Sequence, residues 1–341
     1  MRLVLVRPGP RFSVQDVAAG WLKGFRSQGV QVGDFRMDDR LDFYDRALLH
    51  SPGEYGFPDT MRLACQSLMG QLFGAWPDVL FVVSGFFVSP DVLRICRQRG
   101  ITTVLLATES PYNDDGQLGL AEFYDLVLLN DPTNLDAFRE RTRAEFIPHA
   151  YDPDVHRRVP ADKLDPEWRS DFCFVGTGYP SRIEFFEQVD WSGIDAALAG
   201  NWQQLRPDSP LIPLMAHDRT GCIDNADAVD LYSATKVSAN IYRREADRPE
   251  LSDGWAMGPR EVELAACGIF FLTEPRPENR QVLPMIPTFD TPEEFGEALR
   301  WWLAHPTERD CVARKAQEAV SDRTFTNHAA RVCGWLDSLR G

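Results

Sequence analysis

Lysine is scarce in this chain of 341 residues: Lys23, Lys163, Lys236 and Lys315 are the only four, so nearly all positive charge is arginine. Acidic residues outnumber basic ones, 51 to 36, for a formal net charge of -15. Such a chain is soluble and not built for a polyanion, although net charge leaves room for a local basic patch. Arginine suits two-point phosphate recognition, and genomic base composition produces the same bias. Paired cysteines are absent as well. Cys65, Cys96, Cys173, Cys222, Cys267, Cys311 and Cys333 include no Cys-x-x-Cys, and several lie in apolar runs. An odd, dispersed set reads as reduced, buried thiols of a cytoplasmic protein. No His/Cys cluster has zinc spacing. No apolar run reaches membrane-spanning length, and the apolar part of MRLVLVRPGP is too short for a signal peptide.

What is present is an alternation of short apolar strands and amphipathic helices. Leu3–Val6 reads as a buried strand, Pro8-Gly9-Pro10 as its loop, and residues 14–27 as a helix with Val14, Val17, Trp21 and Phe25 on one face. Strands follow at 30–35, 79–84, 101–107, 125–129 and 144–147, with helices at 59–76, 90–99 and 133–141. Residues 36–57 read as irregular. This is the layout of a doubly wound α/β domain over residues 1–150. The Pro- and charge-rich stretch 151–170 reads as a linker. A second alternation fills residues 171–324, and a last helix occupies 325–341. The expected fold is therefore α/β, with two Rossmann-like doubly wound domains facing across a cleft.

Three segments carry candidate chemistry. In Gly258-Pro-Arg-Glu-Val-Glu-Leu-Ala-Ala-Cys-Gly268 a turn opens a short helix, with Arg260 and Glu263 three apart on one face. Free backbone N–H groups and an arginine suit a diphosphate, and a carboxylate suits ribose hydroxyls. An ordinary αβ unit with a surface ion pair has the same pattern. In Phe174-Val-Gly176-Thr-Gly178-Tyr-Pro-Ser-Arg182 a buried strand runs into glycines, then into a helix with arginine in its first turn. Glycines let backbone approach a phosphate. In Thr235-Lys236-Val-Ser-Ala-Asn240-Ile-Tyr-Arg243 a cation precedes a strand that ends in polar residues. Thr108-Glu109-Ser-Pro111 follows a first-domain strand, where a carboxylate can orient or deprotonate a hydroxyl. His149 is a second candidate base. Gly9 and Ser13 qualify by loop position alone. Asp152-Pro-Asp154 spells a metal-type Asp-x-Asp but sits in a Pro-rich turn, and Asp38-Asp39 and Asp114-Asp115 read as solvated turns.

Arg260, Glu263, Ala266, Cys267 and Gly268 fit an Arg-x-x-Glu-x-x-Ala-Cys-Gly pattern followed by an apolar strand. That segment resembles the nucleotide-sugar-binding helix of GT-B glycosyltransferases, in particular the CgeB-like, spore-maturation group. The Phe-Val-Gly…Arg and Lys-x-x-x-Asn segments resemble the same group. Many GT-B enzymes carry an earlier Glu eight positions before the second; here that position is Trp255.

The resemblance implies a glycosyltransferase that takes a nucleotide-diphosphate sugar as donor and needs no metal or other cofactor. Arg182, Lys236 and Arg260 would neutralise the leaving diphosphate, with Glu109, Arg182 and Lys236 as the catalytic set. Gly9, Gly176, Gly178, Asn240, Arg243 and Glu263 would complete the nucleotide contacts, Glu263 on the ribose. The acceptor would be a hydroxyl of a glycan, small molecule, protein or modified DNA base. The alternatives are a phage-type DNA glycosyltransferase, a nucleotide-sugar epimerase and a two-lobed binding protein without catalysis.

Overall fold

The computed structural model describes residues 1–9, 14–51, 53–216 and 223–340. Ser13, Pro10 and Cys222, named above, lie outside them. The chain forms two compact units, one of Met1–Pro148, Ala246–Gly254 and Phe325–Gly341, the other of His149–Glu245 and Trp255–Thr324.

The first unit runs β1 (Arg2–Val6), α1 (Gln15–Ser27), β2 (Gln31–Phe35), α2 (Met37–Leu49), α3 (Phe57–Ala75), β3 (Val79–Val83), α4 (Pro90–Gln98), β4 (Thr102–Ala107), α5 (Asp114–Ala121), β5 (Leu126–Leu129), α6 (Leu135–Arg139) and β6 (Ala144–Phe146). Its six strands are parallel in the order β2-β1-β3-β4-β5-β6. Central strands such as Val79–Val83 are apolar and buried throughout, because helices cover both faces of a parallel sheet. Trp21 of α1 packs on Phe25 and Phe81, with ring centroids 5.5 and 5.4 Å away. Each such buried aromatic contributes on the order of 2–3 kcal/mol.

Residues 36–57, read as irregular, contain α2. Only Met37 and Leu41 of that helix are buried, so its apolar stripe is too thin to show as a period. Asp38 and Asp39 are not a free turn: they lie in its first turn, paired with Arg36.

The second unit runs β7 (Ser170–Val175), α7 (Pro180–Glu187), β8 (Ala196–Ala199), α8 (Asn225–Ala234), β9 (Thr235–Asn240), α9 (Pro259–Ala266), β10 (Phe271–Thr273), α10 (Pro277–Val282), α11 (Pro292–Ala304) and α12 (Pro306–Ala319). Its parallel sheet has the order β10-β9-β7-β8. Phe172, Phe174, Phe186, Trp202 and Phe295 fill one face of this sheet. Residues 151–170 pack within this unit instead of standing apart. Tyr151 bridges to Thr324, Val159 N–H donates to Ser233 Oγ at 2.9 Å, and His156 is buried. Proline and charge marked irregular backbone there, not separation.

The final helix α13 (Phe325–Arg340) belongs to the first unit and lies against α1. A Cβ on Gly24 would fall 2.5 Å from the Phe325 carbonyl oxygen, so glycine lets the two helices touch.

Candidate functional site

In the second unit, the carboxyl ends of β7 and β9 and the amino end of α9 hold most of the residues singled out in the sequence. Open α/β sheets bind ligands at such ends. Pro259 occupies the first turn of α9 and needs no N–H partner there. Gly268, at φ 66°, ends the segment in a conformation that suits glycine. The Arg260 guanidinium stacks over Phe174, with Cζ 4.8 Å from the ring centroid. A Cβ on Gly176 would lie 2.6 Å from Arg260 Nη2, so glycine leaves room for this cation beside the β7–α7 loop. Arg260 Nε is buried and has no hydrogen bond. Glu263 follows on the same helix, with Oε1 4.0 Å from His156 Nε2.

Between them in sequence stands Glu261, which sequence reasoning missed. Its side chain is fully buried. It accepts from Tyr242 Oη, from Gly258 N–H at 2.7 Å, from Thr273 Oγ1 at 2.9 Å and from Asn279 Nδ2 at 3.1 Å. Burial raises its pKa, while these donors pull it down. Burial and then the Glu261 charge push the Tyr242 phenol well above its usual range. The neighbouring loop is held in a similar way: Met257 N–H donates to Glu278 at 2.7 Å, and Glu278 pairs with Arg323 at 2.8 Å. Arg276 stacks on Tyr242, its Cζ 3.6 Å from the centroid, and donates to Ala256 O. These contacts fix where α9 begins. The signal for Glu261 was its place three residues after Gly258, where a helix acid reaches back to a free N–H.

Other expectations fare differently. Arg182 is buried, its Nε donating to Ile241 O at 2.8 Å and its Nη1 to Thr177 O at 2.9 Å. Phe174 and Tyr179 lie 5.5 and 5.2 Å from its Cζ. Through these two carbonyls it ties the β7–α7 loop to the end of β9. Lys236 lies at the amino end of β9, level with the start of β7, while Asn240 lies at the carboxyl end. Its Nζ binds Asp171 Oδ1 at 2.6 Å and it is largely exposed. The two ends of one strand thus separate Lys236 from Arg260.

Asn240 is buried, with Nδ2 3.4 Å from Thr273 Oγ1. Arg243 donates to Tyr179 Oη at 3.2 Å. A Cβ on Gly178 would meet the Trp202 ring at 2.3 Å, so this glycine serves packing.

In the first unit, Gly9 abuts Phe87, which a Cβ would meet at 1.9 Å. Glu109 lies in the turn after β4 and is partly exposed. His149 opens the second unit after β6. Asp114, expected in a solvated turn, is the first residue of α5 and is fully buried. Asp154 N–H donates to Asp152 Oδ1 at 3.0 Å, so that pair forms a turn. Among the described residues, no group of three His, Cys, Asp or Glu could hold a metal ion, and no helix is long and apolar enough to cross a membrane.

Residues 182–333 match the glycosyl transferase-like family. Among curated proteins, none matches this chain. The structure resembles the sucrose-phosphate synthase of Thermosynechococcus elongatus, with TM-score 0.64 and 13% identity over 99% of this chain and 98% of that one. It resembles Anabaena HepE in complex with UDP-glucose, with TM-score 0.64 and 14% identity over 98% and 100%. It also resembles the E. coli protein bound with UDP-2-fluoro glucose, a trehalose-6-phosphate protein, with TM-score 0.62 and 12% identity over 100% and 99%. At these identities the likeness speaks to architecture. The chain therefore has the GT-B fold, two Rossmann-like units with parallel sheets, and carries a glycosyltransferase domain over residues 182–333.

Proposed function

We propose that the protein moves a sugar from a nucleotide-diphosphate sugar, of uridine type, to a hydroxyl acceptor, and that it is a transferase of the CgeB-like kind. One observation carries this reading: the Arg260 guanidinium, with Nε buried and unbonded, stands at the amino end of α9 beside Gly176. A pyrophosphate leaving group fits that place. The guanidinium and the positive end of the helix dipole would stabilise negative charge as the glycosidic bond breaks. Glu263, in the next turn of the helix, would accept from ribose hydroxyls. The loop from Gly176 to Gly178 would approach the phosphates by its backbone. Arg243 and Asn240 line the same end of the sheet. Glu109 is the acceptor-side carboxylate of this reading.

The uridine preference draws on relatives whose structures hold UDP-glucose or UDP-2-fluoro glucose. Metal independence is part of the proposal, with arginine and the positive end of the α9 dipole meeting the diphosphate charge. A cytoplasmic setting agrees with free, buried thiols at Cys65, Cys96, Cys173 and Cys267.

The test is a melting panel with UDP, GDP, ADP and their glucose conjugates, with and without EDTA, followed by a transfer assay with a labelled sugar. A specific ligand raises apparent stability by mass action. A rise with UDP or UDP-sugar that survives EDTA, and label found in an acceptor, are the expected results. No shift with any nucleotide would sink the reading; free sugar or an epimer as sole product would change the reaction class.

A further inference from the structure

Beside Glu263 lies a histidine that the sequence offered no reason to choose. His156 stands in the turn after Tyr151, and its side chain is 4% exposed. Its Nδ1 lies 3.2 Å from both Asp152 N and Asp152 O; the Asp152 carbonyl already accepts from His156 N–H at 2.8 Å, which leaves the amide as the partner for Nδ1. With Nδ1 accepting from the Asp152 amide, the neutral ring carries its proton on Nε2. That Nε2 is buried and has no hydrogen bond. It lies 4.0 Å from Glu263 Oε1, too long for a hydrogen bond between them. The Glu263 side chain is 18% exposed, so the pair sits at the edge of solvent. A buried N–H is rarely left unmet in a folded protein.

We propose that His156 is a specificity-determining residue that, with Glu263, recognises a hydroxyl of the nucleotide's ribose. This rests on the donor-site reading above and adds a residue to it. A hydroxyl oxygen can stand at ordinary hydrogen-bond length from both atoms. It accepts from His156 Nε2–H and donates to Glu263, so the buried Nε2–H finds the partner it lacks. A carboxylate alone would accept from many donors. A donor and an acceptor side by side select a group that is both, which a hydroxyl is and a methylene is not.

The experiment measures Kd of UDP and of its 2′-deoxy and 3′-deoxy counterparts for wild type, His156→Met and His156→Gln. Wild type is expected to favour UDP over at least one deoxy form. His156→Met should weaken UDP by about five- to tenfold, the worth of one hydrogen bond, and leave that deoxy form unchanged. His156→Gln, which keeps an N–H donor, should restore part of the preference. Melting without ligand monitors the fold, and the ratio of affinities is a readout that a packing role alone would not move. If His156→Met binds UDP and both deoxy forms in the wild-type ratio, the inference falls while the transferase reading stands. If His156→Met does not fold, His156→Gln decides: a ratio collapsed to one, or a UDP affinity no different from wild type with no ribose preference in either protein, also overturns it. If wild type binds no nucleotide, both fall together.

Discussion

The Arg260 guanidinium occupies space that a side chain at position 176 would claim: a Cβ on Gly176 would fall 2.6 Å from Nη2 and 3.1 Å from Cζ. The nearest atoms in the way are the far end of a flexible side chain, with the Phe174 ring edge at 3.1 Å, so alanine at 176 fits once Arg260 swings aside and the ring gives by a few tenths of an ångström. Gly176→Ala should therefore melt within about 1 kcal/mol of wild type, by analogy with other strain-free Gly→Ala changes. Its kcat/KM should fall by about tenfold because the cation is displaced from the charge it stabilises. Arg260→Ala should lose about a hundredfold. Steady-state kinetics with UDP-sugar, beside melting curves, separate the two effects. An activity of Gly176→Ala equal to wild type would show that the position of Arg260 does not matter.

Arg182 and Lys236 should part company. Arg182→Met strips two donors from the Ile241 and Thr177 carbonyls, which lie in or near the core. Leaving such acceptors unmet costs about 2–3 kcal/mol. Denaturant unfolding should record that loss, with nucleotide binding weakened because the 176–178 loop loosens. Lys236→Ala removes an exposed pair with Asp171, and such pairs contribute about 0–1 kcal/mol. Its kcat/KM should stay within about twofold of wild type, as expected for a change outside the site. A hundredfold loss in Lys236→Ala would return that residue to the chemistry.

The strands of both units were legible because buried parallel strands are short apolar runs bounded by glycine, proline and acid, as in Pro77-Asp78 before β3. The order of the α9 and β7–α7 segments was legible through Arg260, Glu263 and Gly176. Direction along a strand was harder. Lys236 and Asn240 are close in the chain, yet β9 carries them to opposite ends of the sheet, since an extended strand advances about 3.3 Å per residue. The partner of a buried arginine is also invisible: nothing in Ser181-Arg182 says that its donors meet carbonyls at 177 and 241. His156 drew no attention, and Asp114 was read as a solvated turn, because each stands among polar or charged neighbours that read as surface. Burial there is set by elements distant in the chain.

Glu261 should cost more stability to remove than Arg182 or Lys236. Its carboxyl meets Tyr242, Gly258, Thr273 and Asn279, so Glu261→Ala takes the acceptor from the buried Tyr242 hydroxyl and the Gly258 N–H and weakens the bonding of the other two. Breaking such a network costs about 3–5 kcal/mol. Glu261→Gln keeps the shape and one acceptor oxygen but faces N–H groups with an amide NH₂. It should lie between wild type and alanine in urea unfolding. Equal stability of all three proteins would mean that the network does not hold α9 in place.

Asp114 supplies the pH dependence. It is fully buried in the first turn of α5, and neither carboxyl oxygen has a hydrogen bond among the described residues. Burial pushes its pKa up to about 6; Ser110 and Asn134 beside it pull down, Asp131 adds to the rise, and Arg248 opposes it. The folded value stands above the ordinary 3.8, so the native state holds an extra proton between about pH 4 and 6. Stability from this group is present in acid and is lost as pH rises through about 6, after which the cost is constant. The full cost is at most roughly 3 kcal/mol, from about 1.4 kcal/mol per pKa unit. Asp114→Asn keeps the shape and cannot ionise. It should melt higher than wild type at pH 7.5, and the gap should close as pH falls towards 4. Melting temperatures of both proteins from pH 4 to 8 give the test, with their difference cancelling the titration of every other group. Parallel curves would show that Asp114 ionises at its ordinary pKa and that water or a neighbour meets its charge.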